Sequence, residues 1–129
     1  MNIIVEATGQ VVFYVISKQL KPITDKHMIH VIVSYRIKPE FVQENKLNIE
    51  KFLKRFEDLD HSRFNYSVFL NSDGLTFTHI SHYRDGDIQK ELLATPAFLD
   101  FQKKRDDSGL DGSHRVQVLE HIGSTGSIL

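Results

Sequence analysis

Residues 64–83 read FNYSVFLNSDGLTFTHISHY, two alternating runs on either side of Asn71-Ser72-Asp73-Gly74. Asp-Gly within a short polar stretch is a strong hairpin signal, because glycine takes the left-handed backbone that tight turns need. The alternation predicts strands over 64–71 and 75–83. With Leu70 set opposite Leu75, Val68 meets Phe77, Tyr66 meets His79 and Phe64 meets Ser81. That face is largely apolar and belongs under helices. The opposite face then carries Asn65, Ser67, Phe69, Thr76, Thr78, Ile80 and His82. A slip of one residue would scramble both sets, so the pattern itself argues for this pairing of faces.

Upstream, Ile29, Val31, Val33, Tyr35 and Ile37 alternate with His30, Ile32, Ser34 and Arg36, which predicts another strand with one apolar face. Pro39 suits the first turn of a helix, where its missing N–H is not needed. A helix over 40–59 follows, with Val42, Ile49, Phe52, Leu53, Phe56 and Leu59 inward and Lys46, Glu50, Lys54 and Glu57 outward. Downstream, Asp85 to Leu93 reads as a short helix. Thr95-Pro96 then starts another that runs to about Asp106, with Thr95 as its N-cap. The run Lys103-Lys104-Arg105-Asp106-Asp107 reads as a solvated helix end, where cations favour the last carbonyls. A glycine-containing loop (108–113) leads into a strand over 114–122.

This β-α-β-β-α-β order predicts an α+β, ferredoxin-like domain: a four-stranded antiparallel sheet with both helices on one face. The other face must meet water, a ligand or a second subunit. Residues 28–122 form that domain and 123–129 a loose tail. Residues 1–27 stand apart. IIVEA and VVFYVIS are β-rich runs around Thr8-Gly9-Gln10, readable as a hairpin or one long strand, and Pro22 through His27 reads as a linker. The segment is either an added β extension, paired with the sheet or a neighbouring subunit, or sequence upstream of an internal start at Met28.

At 129 residues the chain has room for one core. It has 16 Lys and Arg against 17 Asp and Glu, with no cationic face, so a nucleic-acid partner is not expected. The absence of cysteine excludes disulfides, thiolate metal sites and thiol catalysis. There is no secretory start and no apolar run long enough to cross a bilayer, so the reading is cytoplasmic, without a membrane partner.

In VIVSYRIKPE (31–40), VFLNSDGLTFTHISHYRD (68–85) and LLATPAFLDFQ (92–102), the chain resembles the antibiotic biosynthesis monooxygenase domain group. The resemblance covers roughly residues 28–122. It implies a dimeric α+β barrel, a homodimer whose sheets close face to face, with a pocket in each subunit between sheet and helices. Members include cofactor-independent oxygenases acting on aromatic polyketides, and related haem-degrading enzymes. The latter carry an iron-ligating histidine on the second helical region and use a tryptophan. Here 91–106 contains no histidine and the chain has no Trp, so haem degradation is set aside and no cofactor is expected. Neighbouring families share the barrel with other reactions, so the fold does not choose the chemistry.

The residues that could carry chemistry lie on the helix-facing side of the sheet. His79 beside Tyr66 could abstract or relay a proton, and is the candidate catalytic pair. Antiparallel order brings Tyr35 and Tyr83 to the same side. With Asn45 on the inner stripe of the first helix, and Phe77 and Phe98 as walls, they make the candidate substrate-binding set. The plainer alternative is a buried histidine satisfied by a tyrosine hydroxyl. Arg36, His30 and Ser34 fall on the open face and line a dimer interior. His82, His114 and His121 fit no helical ligand spacing, so no metal site is expected. The expected function is a cofactor-independent monooxygenase-like enzyme for a small aromatic or quinone-like substrate. Its rival is a non-catalytic dimeric domain that binds a small ligand or serves only structure. A cavity of a few hundred Å³ reaching His79 would favour chemistry or binding. Phenylalanines filling that space would favour structure.

Overall fold

A computed structural model describes residues 2–5, 12–15 and 28–129. Strands β1 (Asn2–Val5) and β2 (Val12–Val15) pair antiparallel in a two-stranded sheet of their own, Asn2 opposite Val15. The two β-rich runs therefore form two strands, and neither joins the larger sheet. The Thr8-Gly9-Gln10 segment and the Pro22–His27 stretch lie outside the described residues.

The main unit follows as β3 (Ile29–Arg36), α1 (Val42–Phe56), β4 (Phe64–Leu70), β5 (Thr76–Tyr83), α2 (Gly86–Leu93), α3 (Pro96–Lys104) and β6 (Arg115–Leu119). The sheet order is β4-β5-β3-β6 and every neighbouring pair is antiparallel, the ferredoxin-like arrangement expected. Alternation sends Val31, Tyr35, Phe77, Tyr83 and Phe64 to the helix side, where they pack with Ile49, Phe52, Phe56, Ile88, Leu92, Phe98 and Phe101.

The hairpin differs from expectation by two residues. Leu70 lies opposite Phe77, Val68 opposite His79, Tyr66 opposite Ser81 and Phe64 opposite Tyr83. The turn is the reason. Asp73 Oδ1 accepts from the N–H groups of both Leu75 and Thr76, at 2.8 Å each, and Gly74 sits at φ +74°. Leu75 is thereby held in the turn, where its carbonyl accepts from Ile37 N–H at 2.9 Å. An even shift preserves parity, so both faces carry the residues expected of them.

Helix ends show where local chemistry acts. Pro39–Phe41 forms a single 3₁₀ turn ahead of α1. Asp85 caps α2, its Oδ1 accepting from Ile88 N–H at 3.1 Å while Arg63 Nη2 donates to the same oxygen at 2.8 Å. Thr95 occupies the N-cap of α3, but its hydroxyl reaches back to the Glu91 carbonyl and leaves the cap bond unmade. After Lys104 the chain widens into a π-turn, Arg105–Gly109, closed by Leu110 N–H donating to the Arg105 carbonyl at 2.9 Å. This corrects the solvated reading of that segment: Arg105 is only 3 % exposed. Its long side chain lies along the core instead of trailing into water.

Candidate functional site

Four polar side chains from four elements meet beneath α1 and α3. His79 on β5 bonds two tyrosines: Nε2 lies 2.7 Å from the Tyr35 hydroxyl of β3, and Nδ1 lies 2.7 Å from the Tyr66 hydroxyl of β4. Asn45 of α1, fully buried, donates from Nδ2 to the Tyr35 hydroxyl at 3.1 Å. The pairing with Tyr66 is diagonal, because Tyr66 stands two residues along β4 from Val68, the residue opposite His79. Long side chains span that offset readily.

A neutral imidazole has one N–H and one lone pair, so His79 donates to one tyrosine oxygen and accepts from the other hydroxyl, while Asn45 Nδ2 donates to Tyr35. The string runs unbroken through Asn45, Tyr35, His79 and Tyr66. Burial is the main influence on all of its titrating members. It pushes His79 down to about 3, with the Arg105 charge adding to the effect, so the imidazole is neutral. It raises Tyr66 well above the usual phenol range, and raises Tyr35 against the opposing pull of the Asn45 bond.

Arg105 flanks this string. Its guanidinium carbon lies 5.1 Å from the Tyr35 ring centre and 5.4 Å from that of Phe101, within cation–π range. Its Nε donates to Asp106 Oδ1 at 2.9 Å, and both residues are largely buried. Among the described residues, four buried side-chain atoms have no hydrogen-bond partner: Asn45 Oδ1, Asn48 Nδ2, Gln102 Oε1 and Asp106 Oδ2.

The space left is small. A chamber of about 40 Å³ opens among Val31, Val33, Leu93, Phe98 and Phe101, with His79, Tyr66, Tyr83, Gln102 and Arg105 on its walls. That is room for water, not for an aromatic ring. Phe52 fills much of the remainder, its ring centre 4.9 Å from Phe101, 5.0 Å from Phe98 and 5.6 Å from Tyr66. A second, open hollow of about 250 Å³ lies outside, between the end of α1 and β4, lined by Leu53, Phe56, Glu57, His61, Phe64, Asn65 and Tyr66. Tyr66 borders both spaces.

Of the residues singled out from sequence, His79, Tyr66, Tyr35 and Asn45 come together. Phe98 walls the chamber. Tyr83 also reaches it, but its hydroxyl bonds Ser81 instead of His79. Phe77 stacks on Tyr35 at 5.8 Å, behind the string and away from the chamber. Sequence reasoning missed Arg105 and Gln102. The available signal was spacing: Phe98, Phe101, Gln102 and Arg105 recur at helical intervals on one face. On the open face, Arg36 pairs with Asp111 at 3.3 Å. His30 meets His82, Nδ1 to Nδ1 at 2.9 Å, and the His121 ring is 5.5 Å from that of His30. Among the described residues, no three His, Cys, Asp or Glu side chains already surround a point that could hold a metal ion. Nor is any described helix long and apolar enough to cross a membrane.

No protein-family model matches the chain, and no curated protein matches it in sequence. Solved structures do match in fold. Rv0793 from Mycobacterium tuberculosis superposes with a TM-score of 0.67 at 16 % identity, over 78 % of this chain and 100 % of its own. A provisionally named antibiotic biosynthesis monooxygenase from Nitrosomonas europaea gives 0.66 at 13 % identity, over 81 % and 100 %. Another so named, from Bacteroides thetaiotaomicron, gives 0.67 at 14 %, over 79 % and 96 %. The chain thus has the antibiotic biosynthesis monooxygenase-like fold.

Proposed function

We propose that this protein is a homodimeric, cofactor-independent oxygenase-type enzyme for a small aromatic or quinone-like substrate, with His79 and Tyr66 handling the proton. The observation that carries this reading is the His79 imidazole held between two tyrosine hydroxyls at 2.7 Å each. A neutral imidazole wired to phenols on both sides can accept a proton at one nitrogen as it releases one at the other. A quinol meeting the string at Tyr66 would give its proton to the Tyr66 oxygen as Tyr66 passes its own to a free Nδ1, and Arg105 supplies a nearby positive charge. The electron-rich anion then gives electrons to dioxygen: one oxygen atom ends as a new ring hydroxyl, the other leaves as water, and the quinol, which supplies both electrons, leaves as the hydroxyquinone. Tyr35 and Asn45 hold the ring of His79 in place. Phe98 and Tyr83 help shape the chamber. Two copies would join through the open sheet face, where Phe69 is 54 % exposed and Leu119 40 %.

The second reading is a non-catalytic domain of the same fold, and the chamber of about 40 Å³ favours it. An aromatic substrate requires α2 and α3 to stand away from the sheet, or must sit in the outer hollow against Tyr66. Oxygen uptake with a panel of phenols and quinols separates the two. Turnover by the native protein that is lost in His79→Gln, with the fold intact, supports the enzyme. No uptake with any of them supports the binding or structural domain, and turnover indifferent to His79→Gln removes His79 from the chemistry.

A further inference from the structure

The open face of the sheet carries a second histidine group, separated from His79 by the sheet itself and independent of the proposed oxygenase chemistry. We infer that His30 and His82 form a two-imidazole chelate for a divalent transition-metal ion, with His121 as a third donor that swings in. His30 and His82 are direct cross-strand partners on β3 and β5, so their side chains rise side by side from one face. Their Nδ1 atoms lie 2.9 Å apart. Two imidazole nitrogens bound to one ion at roughly 2.0–2.1 Å would be about 2.9 Å apart at the right angle of a square-planar ion and about 3.3 Å apart in a tetrahedral one. The pair is therefore spaced as adjacent ligands of a square-planar ion such as Cu²⁺ are.

At present a proton bridges what a metal would bridge. One Nδ1 must donate to the other, so an ion entering there requires that proton to move to Nε2 of its own ring, which frees both Nδ1 lone pairs. His121 follows β6 on the same side, its ring 5.5 Å from His30 and tilted 52°. It is exposed, with a bond of 3.3 Å to the Ser124 hydroxyl, so it has freedom to turn. All-imidazole donors suit Cu²⁺, Ni²⁺ and Zn²⁺ and not Ca²⁺ or Mg²⁺, and Cu²⁺ should bind tightest. The three residues come from three different strands or their ends, so no short sequence motif announces them.

The test is titration of the untagged full chain with Cu²⁺ and with Zn²⁺ at pH 7.5 in a non-coordinating buffer. One ion per chain is expected. Affinity should fall at least tenfold in His82→Gln and a few-fold in His121→Gln. Histidine ring resonances give a readout on the native protein that does not depend on a variant folding. Zn²⁺ should move those of His30 and His82 and leave that of His79 in place. Failure of the native chain to bind, unchanged affinity in a folded His82→Gln, or shifts confined to His61 or His114 would each overturn the inference.

Discussion

His79 holds two hydroxyls, that of Tyr35 buried in the core and that of Tyr66 at the border of the chamber and the outer hollow. His79→Ala should therefore cost about 1–3 kcal/mol for each hydroxyl left unpaired. Tyr66→Phe should cost less in the His79→Ala background than in the native chain, because its orphaned hydroxyl is then removed. Urea unfolding of the two single variants and the double variant measures this coupling, and additive losses would mean the bond contributes nothing. The same residue links stability to pH. Its value falls from 6.5 in the unfolded chain to about 3 in the fold, so between those limits the unfolded chain binds a proton that the folded one refuses. The contribution is complete above pH 6.5 and drains away as the pH falls toward 3. His79→Gln should flatten the stability curve between pH 6.5 and 4 by up to about 1.4 kcal/mol per pH unit. Unfolding midpoints at four pH values would show it. The string was legible in the sequence because strand parity decides which face a side chain takes, and Tyr35, Tyr66 and His79 share a parity. Arg105 was not. A guanidinium in a run of five charged residues reads as solvated, and the ring faces of Tyr35 and Phe101 with the Asp106 carboxylate, which the fold brings around it, are not visible in that run.

The π-turn at Arg105–Gly109 does for an element what no single side chain could. It ends α3 and brings the chain alongside β3, where Lys38 N–H donates to the Gly109 carbonyl at 2.8 Å and Leu110 bridges to Ile37. A β-carbon at Gly109 would overlap the ring of Phe41. Gly109→Ala should accordingly lower stability by about 1–3 kcal/mol, as overpacked sites do. A thermal melt unchanged within error would show that Phe41 can move aside freely. Such turns are invisible to periodicity, since they insert one residue without changing its chemical character. The hairpin is a parallel case. Asn71 to Gly74 announced a turn, but the reach of Asp73 to the amides of Leu75 and Thr76 sets its length, and this moved every cross-strand partner by two. The existence of the α-helices and the faces of the strands were readable, while the turns that join them were settled by side-chain and backbone bonds that periodicity does not show.

At the scale of the whole molecule, Ile32, Ile80, Phe69 and Leu119 share the open sheet face with polar neighbours, and Phe69 and Leu119 are exposed there, which favours covering by a second copy. Sedimentation at micromolar concentration should show a dimer, and Phe69→Lys should shift it toward monomer. A native monomer at that concentration would remove the barrel from the reading. The strand order has a consequence in time as well as in space. β4 and β5 are joined by a short turn and can zip together at once, whereas β3, in the middle of the sheet, must wait for β6 from the far end of the domain. Closing that span loses chain entropy before its contacts are gained, which slows folding toward milliseconds or longer. Substitutions in the β4–β5 hairpin should then alter the refolding rate, and those in β6, such as Val116→Ala, chiefly the unfolding rate. Stopped-flow kinetics would distinguish them. Until the last strand arrives, the backbone of β3 is an unpaired template on one side, so the central strand of the finished sheet is an aggregation-prone edge while the protein folds.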